Sequence, residues 1–274
     1  MDDLQIPKEQ VIPLNDVADG VRGLRLIFVN VFAITHLDDS WTLIDAALPF
    51  TASLIRNWVE KNFNRPPNAI VLKHGHFDHV SAAGELAHEW NVPIFAHVME
   101  FPYLTGVAEY PAPNVDVGGA GLMSLFSPFY PRGPVNLGDR LRELPAEGSA
   151  VSALAQLPGW QVLHTPGHTP GHVSFFRPED RALLVGDAFC TTKPESFFEV
   201  ALVQQPELHG PPSYFTSDWE QAGRSLRRLS ELDPRIVIPG HGRPLAGDSV
   251  AEALQRLAAE FGPLAVPENP ENAA

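Results

Sequence analysis

The stretch LKHGHFDHVSAAGE, residues 72–85, carries His74, His76, Asp78 and His79 directly after the apolar run NAIVL. In an extended segment, side chains two residues apart point the same way, so His74 and His76 can converge on one ion where the strand ends. Asp78 and His79 lie past the point where the chain must turn, and they can face a second ion beside the first. The stretch therefore predicts a pair of metal sites at the end of a buried strand.

Three further segments place ligand-type residues at the ends of strand-like runs, flanked by turn residues. The residues are His164, His168 and His172 in VLHTPGHTPGHVSFF, Asp187 in ALLVGDAFC and His241 in RIVIPGHGRPL. Ligands that project from the ends of strands form a rigid metal site. Four segments of this kind in one chain make a chance cluster of histidines a poor explanation.

Strand-like and helix-like segments alternate through the rest of the chain, which predicts layers of sheets and helices. β-branched and aromatic runs predict strands at residues 24–34, 41–45, 69–73, 92–96, 160–164, 172–176, 182–186 and 235–239. Apolar residues at helical spacing predict helices at residues 51–63, 82–90, 217–232 and 249–263. Capping boxes of Ser217 with Glu220 and of Ser249 with Glu252 begin the last two helices, and Gly262 and Pro263 stop the second of them.

A segment at about residues 100–138 is dense in proline and glycine and shows no sustained period. Long segments of this kind in compact domains are usually lids or binding loops, although an ordinary surface excursion has the same composition. Its apolar residues, Met123, Leu125, Phe126, Phe129 and Tyr130, favour a wall over a site. We expect one domain over residues 1–266 with this insertion, followed by a disordered tail at 267–274.

The motif HxHxDH at residues 74–79, followed in order by TPGHTPGH, GD and PGHG, resembles the metallo-β-lactamase superfamily of metal-dependent hydrolases. The resemblance extends from about Leu24 to Leu245. It implies an α/β (α+β) fold, an αββα sandwich of two mixed sheets flanked by helices, with a dinuclear site at one edge. Carried over by position, the resemblance implies that the first metal is bound by His74, His76 and His168. It implies that the second metal is bound by Asp78, His79 and His241, and that Asp187 bridges both metals. Asp45 would orient ligands without contacting the metals.

The same resemblance predicts a hydrolase that uses two divalent ions and a metal-bound hydroxide. Such sites lower the pKa of water from about 16 toward 7. The expected substrate is a small ester, thioester or lactone, as in the glyoxalase II-like and lactonase-like branch, with Asp78 as the candidate proton carrier. Nitrogen and oxygen ligands suit zinc, which is the first choice, and also iron or manganese.

Other branches of the superfamily match less well. The β-lactamase subgroups have cysteine in place of Asp187 or lack the bridging carboxylate, which leaves β-lactamase activity as a weak side reaction. Well-known lactonases have tyrosine where this chain has Cys190, and glyoxalase II uses basic C-terminal residues where this chain offers Arg256. The alternative from another class is a persulfide dioxygenase with one iron, whose second metal position is empty.

Several further side chains near the motifs are candidates for supporting the site or contacting substrate: His164, His172, Lys193, Phe126, Phe129 and Tyr214. Cys190 fits better as a small buried hydrophobic residue than as a ligand. The other histidines, His36, His88, His97 and His209, are expected to be structural or on the surface.

Composition and charge exclude several classes of partner. A formal net charge of −14 argues against nucleic acid, and the apolar runs are too short for a membrane span. The acidic start MDDLQIPKEQ differs from a secretory signal, and Cys190 is the single cysteine, so a cytoplasmic protein is expected. The expected partner is a small-molecule substrate, and the sequence is compatible with a homodimer.

Overall fold

The computed structural model describes residues 4–114, 117, 121–133, 135–147 and 156–268 of the chain. Within these residues the strands form two mixed sheets. The predicted disordered tail lies outside the described residues from position 269 onward. No helix in the described part of the chain has the length and apolar character that crossing a bilayer requires.

The first sheet comes from the amino-terminal half of the chain. Its strands, in sheet order, are β1 (Val21–Leu26), β2 (Val29–Thr35), β3 (Trp41–Ile44), β4 (Ala69–Val71), β5 (Ile94–Ala96) and β6 (Leu141–Glu143). The first three pair antiparallel, and β3 to β6 pair parallel. Because β3 and β4 are parallel, the segments that follow them leave the sheet at the same edge.

The second sheet comes from the carboxyl-terminal half. Its strands are β7 (Gln161–His164), β8 (Val173–Arg177), β9 (Ala182–Gly186), β10 (Ile236–Pro239) and β11 (Leu245–Ala246), in the sheet order β11-β10-β9-β8-β7. Strands β9 and β10 are parallel, and the other pairs are antiparallel. The residues that follow β9 and β10 therefore also emerge side by side.

The described residues also form eight α-helices. They are α1 (Ala52–Asn62), α2 (Phe77–Val80), α3 (Ala83–Trp90), α4 (Phe101–Leu104), α5 (Leu122–Phe126), α6 (Trp219–Glu231), α7 (Asp248–Ala259) and α8 (Phe261–Ala265). Each core-facing stripe repeats at helical spacing, such as Leu226 and Leu229 on α6.

Successive side chains of β2 point to opposite faces of the sheet and pack into two different hydrophobic cores. Val29, Val31 and Ala33 face the core shared with α1 and α3. Phe32 and Ile34 face the opposite way, into the core between the two sheets. A third core packs the outer face of the second sheet against α6 and α7. These layers are the αββα sandwich that the sequence predicted, and that prediction is confirmed.

The prediction of one strand over residues 24–34 is wrong. The segment contains a hairpin, because β1 and β2 pair across a two-residue turn at Ile27 and Phe28. Ile27 adopts a φ of 61° and is 58% exposed. A β-branched residue rarely takes this left-handed conformation, so the sequence carries no turn signal there.

Both predicted capping boxes are wrong. Asp218 caps α6, with its side chain accepting a hydrogen bond from the Gln221 amide, whereas Ser217 Oγ donates to the Gly167 carbonyl. No side chain caps α7, whose N-cap is Gly247. The Ser249 hydroxyl instead accepts a hydrogen bond from the Gln10 side chain, so a tertiary contact has replaced the local one.

The predicted stop at Gly262 and Pro263 is also displaced. Helix α7 ends at Ala259, and both residues lie inside α8. In the insertion at residues 100–138, the described residues form the short helices α4 and α5 and several turns. The sequence did not predict these helices, because the segment shows no helical period.

Candidate metal centre

The predicted ligands gather where strands of both sheets end. His74 and His76 follow β4, and His76 is the N-cap residue of α2, which carries Asp78 and His79. From the second sheet, His168 lies between β7 and β8, Asp187 follows β9, and His241 follows β10. Parallel pairing of β3 with β4 and of β9 with β10 brings these segments to one edge of the sandwich.

Three imidazoles form the first group, which we call the histidine triad: His74, His76 and His168. Their candidate donor atoms lie within 4.8 Å of one another, and His76 Nδ1 is 2.9 Å from His168 Nε2. Burial lowers the pKa of His76 to about 4 and the pKa values of the other two well below their ordinary range. The rings are therefore neutral at physiological pH, which is the form that binds metal.

A carboxylate and two imidazoles form the second group, the aspartate triad: Asp78, His79 and His241. Asp78 Oδ2 lies 3.4 Å from His241 Nε2 and 3.9 Å from His79 Nε2. Burial alone would lower the pKa of His79, but the carboxylates of Asp187, Asp45 and Asp78 raise it to about 9. This triad thus concentrates negative charge that a cation would neutralise.

Asp187 lies between the two triads. Its Oδ2 atom is 3.6 Å from His168 Nε2 in the histidine triad and 3.1 Å from His241 Nε2 in the aspartate triad. Its Oδ1 atom is 3.4 Å from His79 Nε2. One carboxylate therefore faces donor atoms of both groups, as the predicted bridging role requires.

Several buried polar atoms in the centre lack a hydrogen bond, which indicates whether these residues could bind metal ions. His74 Nε2, His79 Nε2 and Asp187 Oδ1 are buried, and none makes a hydrogen bond of good geometry with the described residues, although His79 Nε2 and Asp187 Oδ1 lie 3.4 Å apart. An unsatisfied buried polar atom destabilises a fold by about 1–3 kcal/mol, so native structures rarely keep several together. Divalent ions would satisfy all three atoms, and the residues fit a dinuclear metal centre.

Asp45 contacts the aspartate triad at His79, on the ring nitrogen opposite the one that faces Asp187 and Asp78. Its Oδ2 atom is 2.6 Å from His79 Nδ1, and its Oδ1 atom accepts a hydrogen bond of 3.0 Å from the Lys73 amide. The Lys73 ammonium, fully buried, lies 2.7 Å from Asp45 Oδ2. Lys73 was missed by the sequence analysis, because a lysine beside a metal motif is ordinarily solvated.

Other contacts orient the remaining ligands. His172 Nε2 accepts a hydrogen bond of 2.9 Å from the Asp187 amide, and burial lowers the pKa of His172 to about 3, so that this nitrogen stays unprotonated. His241 Nδ1 donates to the Phe28 carbonyl over 2.9 Å, and His168 Nδ1 lies 3.2 Å from Thr216 Oγ1. Through its hydrogen bond with the Asp187 amide, His172 positions the backbone of Asp187.

The other candidate residues lie farther from the centre. His164 stacks on His97 with a centroid distance of 4.2 Å, and its Nε2 donates to the Pro170 carbonyl. The Lys193 ammonium lies 3.7 Å from Glu207, with 55% of its side chain exposed. Cys190 is fully buried, as expected of a small hydrophobic residue.

Phe126 and Phe129 lie largely in solvent. They are 51% and 82% exposed and do not line the pocket next to the centre. The residues that line that pocket are His76, Tyr110, Pro111, Ala112, His168, Tyr214, Phe215, Thr216 and Ser217. Tyr214 is the predicted candidate that reaches it, and Tyr110 and Phe215 were missed because nothing in their local sequence marks them.

Comparisons with known proteins show which proteins this chain resembles. The sequence model of the metallo-beta-lactamase superfamily matches residues 24–241. The probable metallo-hydrolase YflN of Bacillus subtilis (strain 168) is 40% identical over 247 residues, which cover 89% of this chain and 91% of YflN. Hydroxyacylglutathione hydrolase GloC of Haemophilus influenzae is 28% identical over 182 residues, covering 63% of this chain and 68% of GloC.

A crystal structure of TTHA1623 in a di-iron-bound form is similar in fold, with a TM-score of 0.53 and 26% sequence identity. The match covers 82% of this chain and 93% of TTHA1623.

Proposed function

The chain belongs to the metallo-β-lactamase superfamily, and from that premise we propose that it is a hydrolase that binds two divalent metal ions and cleaves a small ester, thioester or lactone. The observation that carries the proposal is the position of Asp187, whose carboxylate oxygens face donor atoms of both triads. A second buried group of three donors beside the first supports a second ion.

The histidine triad would hold one ion, the aspartate triad the other, and Asp187 would contact both. Bound divalent ions supply Lewis acidity and activate water for attack on a carbonyl group. The nitrogen and oxygen donors suit zinc, iron and manganese. Zinc is our first choice. Because the similar protein TTHA1623 has been crystallised in a di-iron-bound form, iron is also to be measured.

Asp78 is the residue we assign to proton transfer. Its side chain is 12% exposed, against 3% for Asp187, so it is the more accessible of the two carboxylates in the centre. Its Oδ2 atom faces the imidazoles of the aspartate triad, which leaves Oδ1 to accept a proton from the attacking water and to return it to the leaving group.

The charge of the side chains beside the histidine triad favours an uncharged acyl group. The described lining of the adjacent pocket includes three aromatic side chains, Tyr110, Tyr214 and Phe215, and no lysine or arginine. Burial, and after it the nearby Asp78 carboxylate, raises the pKa of Tyr214 well above its ordinary value, so the phenol keeps its proton and can donate a hydrogen bond to a substrate oxygen. The related GloC is named for hydrolysis of hydroxyacylglutathione, so acylated thiols of that kind are the first substrates to test.

The proposal is tested by counting metal ions per chain and by assaying a panel of thioesters, esters, lactones and a cephalosporin. We expect about two ions per chain and turnover of an acyl substrate. Asp187→Ala should lose both properties, whereas His88→Gln, a change to an exposed histidine on α3, should lose neither. A single iron per chain, with oxygen uptake on a persulfide substrate and no hydrolysis, would overturn the proposal.

A further inference from the structure

Glu100 is a buried carboxylate at the start of the insertion. It lies directly before α4 and is 1% exposed. Among the described residues no lysine, arginine or histidine forms an ion pair with it, so its charge or polarity must be satisfied in another way. A buried carboxyl group without such partners is unfavourable, and its presence requires an explanation.

The Glu100 carboxylate accepts hydrogen bonds from both loops that supply the histidine triad. The amide of Gly75, between His74 and His76, donates to Oε2 over 2.8 Å. On the other loop, Thr169 Oγ1 and the Gly171 amide donate to Oε1 over 2.9 and 2.7 Å. The Tyr110 hydroxyl is a further donor to Oε2. A carboxylate accepts through both oxygens without donating, which suits this arrangement of donors.

Two glycines allow this close approach. A Cβ atom at Gly171 would lie 2.7 Å from Glu100 Cγ, and one at Gly75 would lie 2.4 Å from the Tyr110 hydroxyl oxygen. No real Cβ contact is so short. The loops therefore lie against Glu100 and Tyr110 with no room between them, and Tyr110 also packs edge-on against the His76 ring at a centroid distance of 4.5 Å.

We propose that Glu100 is a positioning residue that fixes the distance between the two loops of the histidine triad, and that Tyr110 links it to the pocket wall. The inference rests on the proposed metal centre. In the aspartate triad, Asp45 contacts a ligand imidazole directly. In the histidine triad the support acts through the backbone of the loops, since Glu100 contacts Gly75 and Gly171 rather than the ligands.

The test is a stepwise metal titration of the full chain with cobalt(II), followed by visible absorption and by competition with a chelator. Glu100→Gln replaces an accepting oxygen with an amide that also donates, so at least one loop donor loses its acceptor. We expect one of the two dissociation constants to rise about 10- to 100-fold, the range found when residues that orient ligands are changed. Asp45→Asn is expected to raise the other constant.

Glu85→Gln is the matched control, because this glutamate is exposed on α3 and lies 3.2 Å from Arg56, away from the centre. It should leave both constants unchanged. If Glu100→Gln keeps both wild-type constants, or raises the same constant as Asp45→Asn, the proposal is overturned. These results do not depend on hydrolysis, so a wild-type chain that binds two ions and cleaves none of the panel would count against the proposed function alone.

Thermal unfolding of the metal-free variants separates positioning from folding. We expect the metal-free Glu100→Gln protein to keep an unfolding midpoint close to that of the metal-free wild type. If it fails to fold, cobalt affinity is measured instead in the double variant Tyr110→Phe, Thr169→Val. This variant removes two of the four hydrogen-bond donors and leaves the Glu100 carboxylate in place. Unchanged cobalt affinity in that double variant would overturn the proposal, and a selective loss at one site would support it.

Discussion

The two triads of the candidate centre differ in both their donors and their support. The histidine triad consists of imidazoles that burial keeps neutral, whereas the aspartate triad adds a carboxylate and lies against the ion pair of Asp45 and Lys73. Carboxylates raise the pKa of His79, while burial lowers that of His76. The comparison teaches that two adjacent groups of candidate ligands can be held in different ways, one by neighbouring charges and the other by the placement of its loops.

The largest effect is expected from Asp187→Ala, because this residue faces both triads. The variant should lose most of its metal and all measurable hydrolysis, while far-ultraviolet circular dichroism stays close to that of the wild type. Metal analysis after gel filtration and the substrate panel provide the measurement. Full activity in this variant would refute the shared role and leave two independent triads.

Removing one ligand from each triad should separate them. His76→Ala and His241→Ala are each expected to lower the metal content by about one ion per chain and activity by more than about 100-fold, since a direct ligand contributes more than the residues that orient it. Metal analysis and kinetics of both variants, side by side, provide the measurement. If either variant retained both ions and full rate, its triad would not be part of the centre.

A smaller effect is expected from Asp45→Asn, which preserves shape and removes the charge that His79 and Lys73 share. Metal affinity should fall about 10- to 100-fold, with the loss confined to the aspartate triad. Metal titration measures it. Saturating metal should restore much of the activity, and a loss that excess metal does not restore would mean that Asp45 acts on the reaction in another way.

The smallest effect is expected from Lys193→Ala. Its ammonium lies 3.7 Å from Glu207 with most of the side chain in solvent, and exposed ion pairs contribute about 0–1 kcal/mol. We expect kcat/KM within about twofold of the wild type. A loss of tenfold or more on an anionic substrate would place Lys193 in the binding site and extend the centre beyond the two triads.

The sequence predicted the helices and strands that are marked by a pattern within their own residues. Strands β7 to β10 and helices α1, α3 and α6 follow from apolar runs or helical spacing. It failed where a tertiary contact decides: the turn at Ile27, the caps of α6 and α7, and β6, which pairs with β5 from across the insertion. The sequence of β6 is LRE, with two charged residues and one apolar residue, so no apolar run marks it as a strand.

The sequence by itself determined the types of the candidate ligands, their order and their positions at the ends of strands, because strand ends and glycine-rich turns are local properties of the chain. Only the tertiary structure showed that Lys73 and Glu100 also support them. Lys73 beside Asp45 and the loop contacts of Glu100 join positions 25 to 71 residues apart along the chain. The wall of the pocket was decided in the same way, since Tyr110 and Phe215 reach the histidine triad through folding, whereas the exposed Phe126 and Phe129 do not.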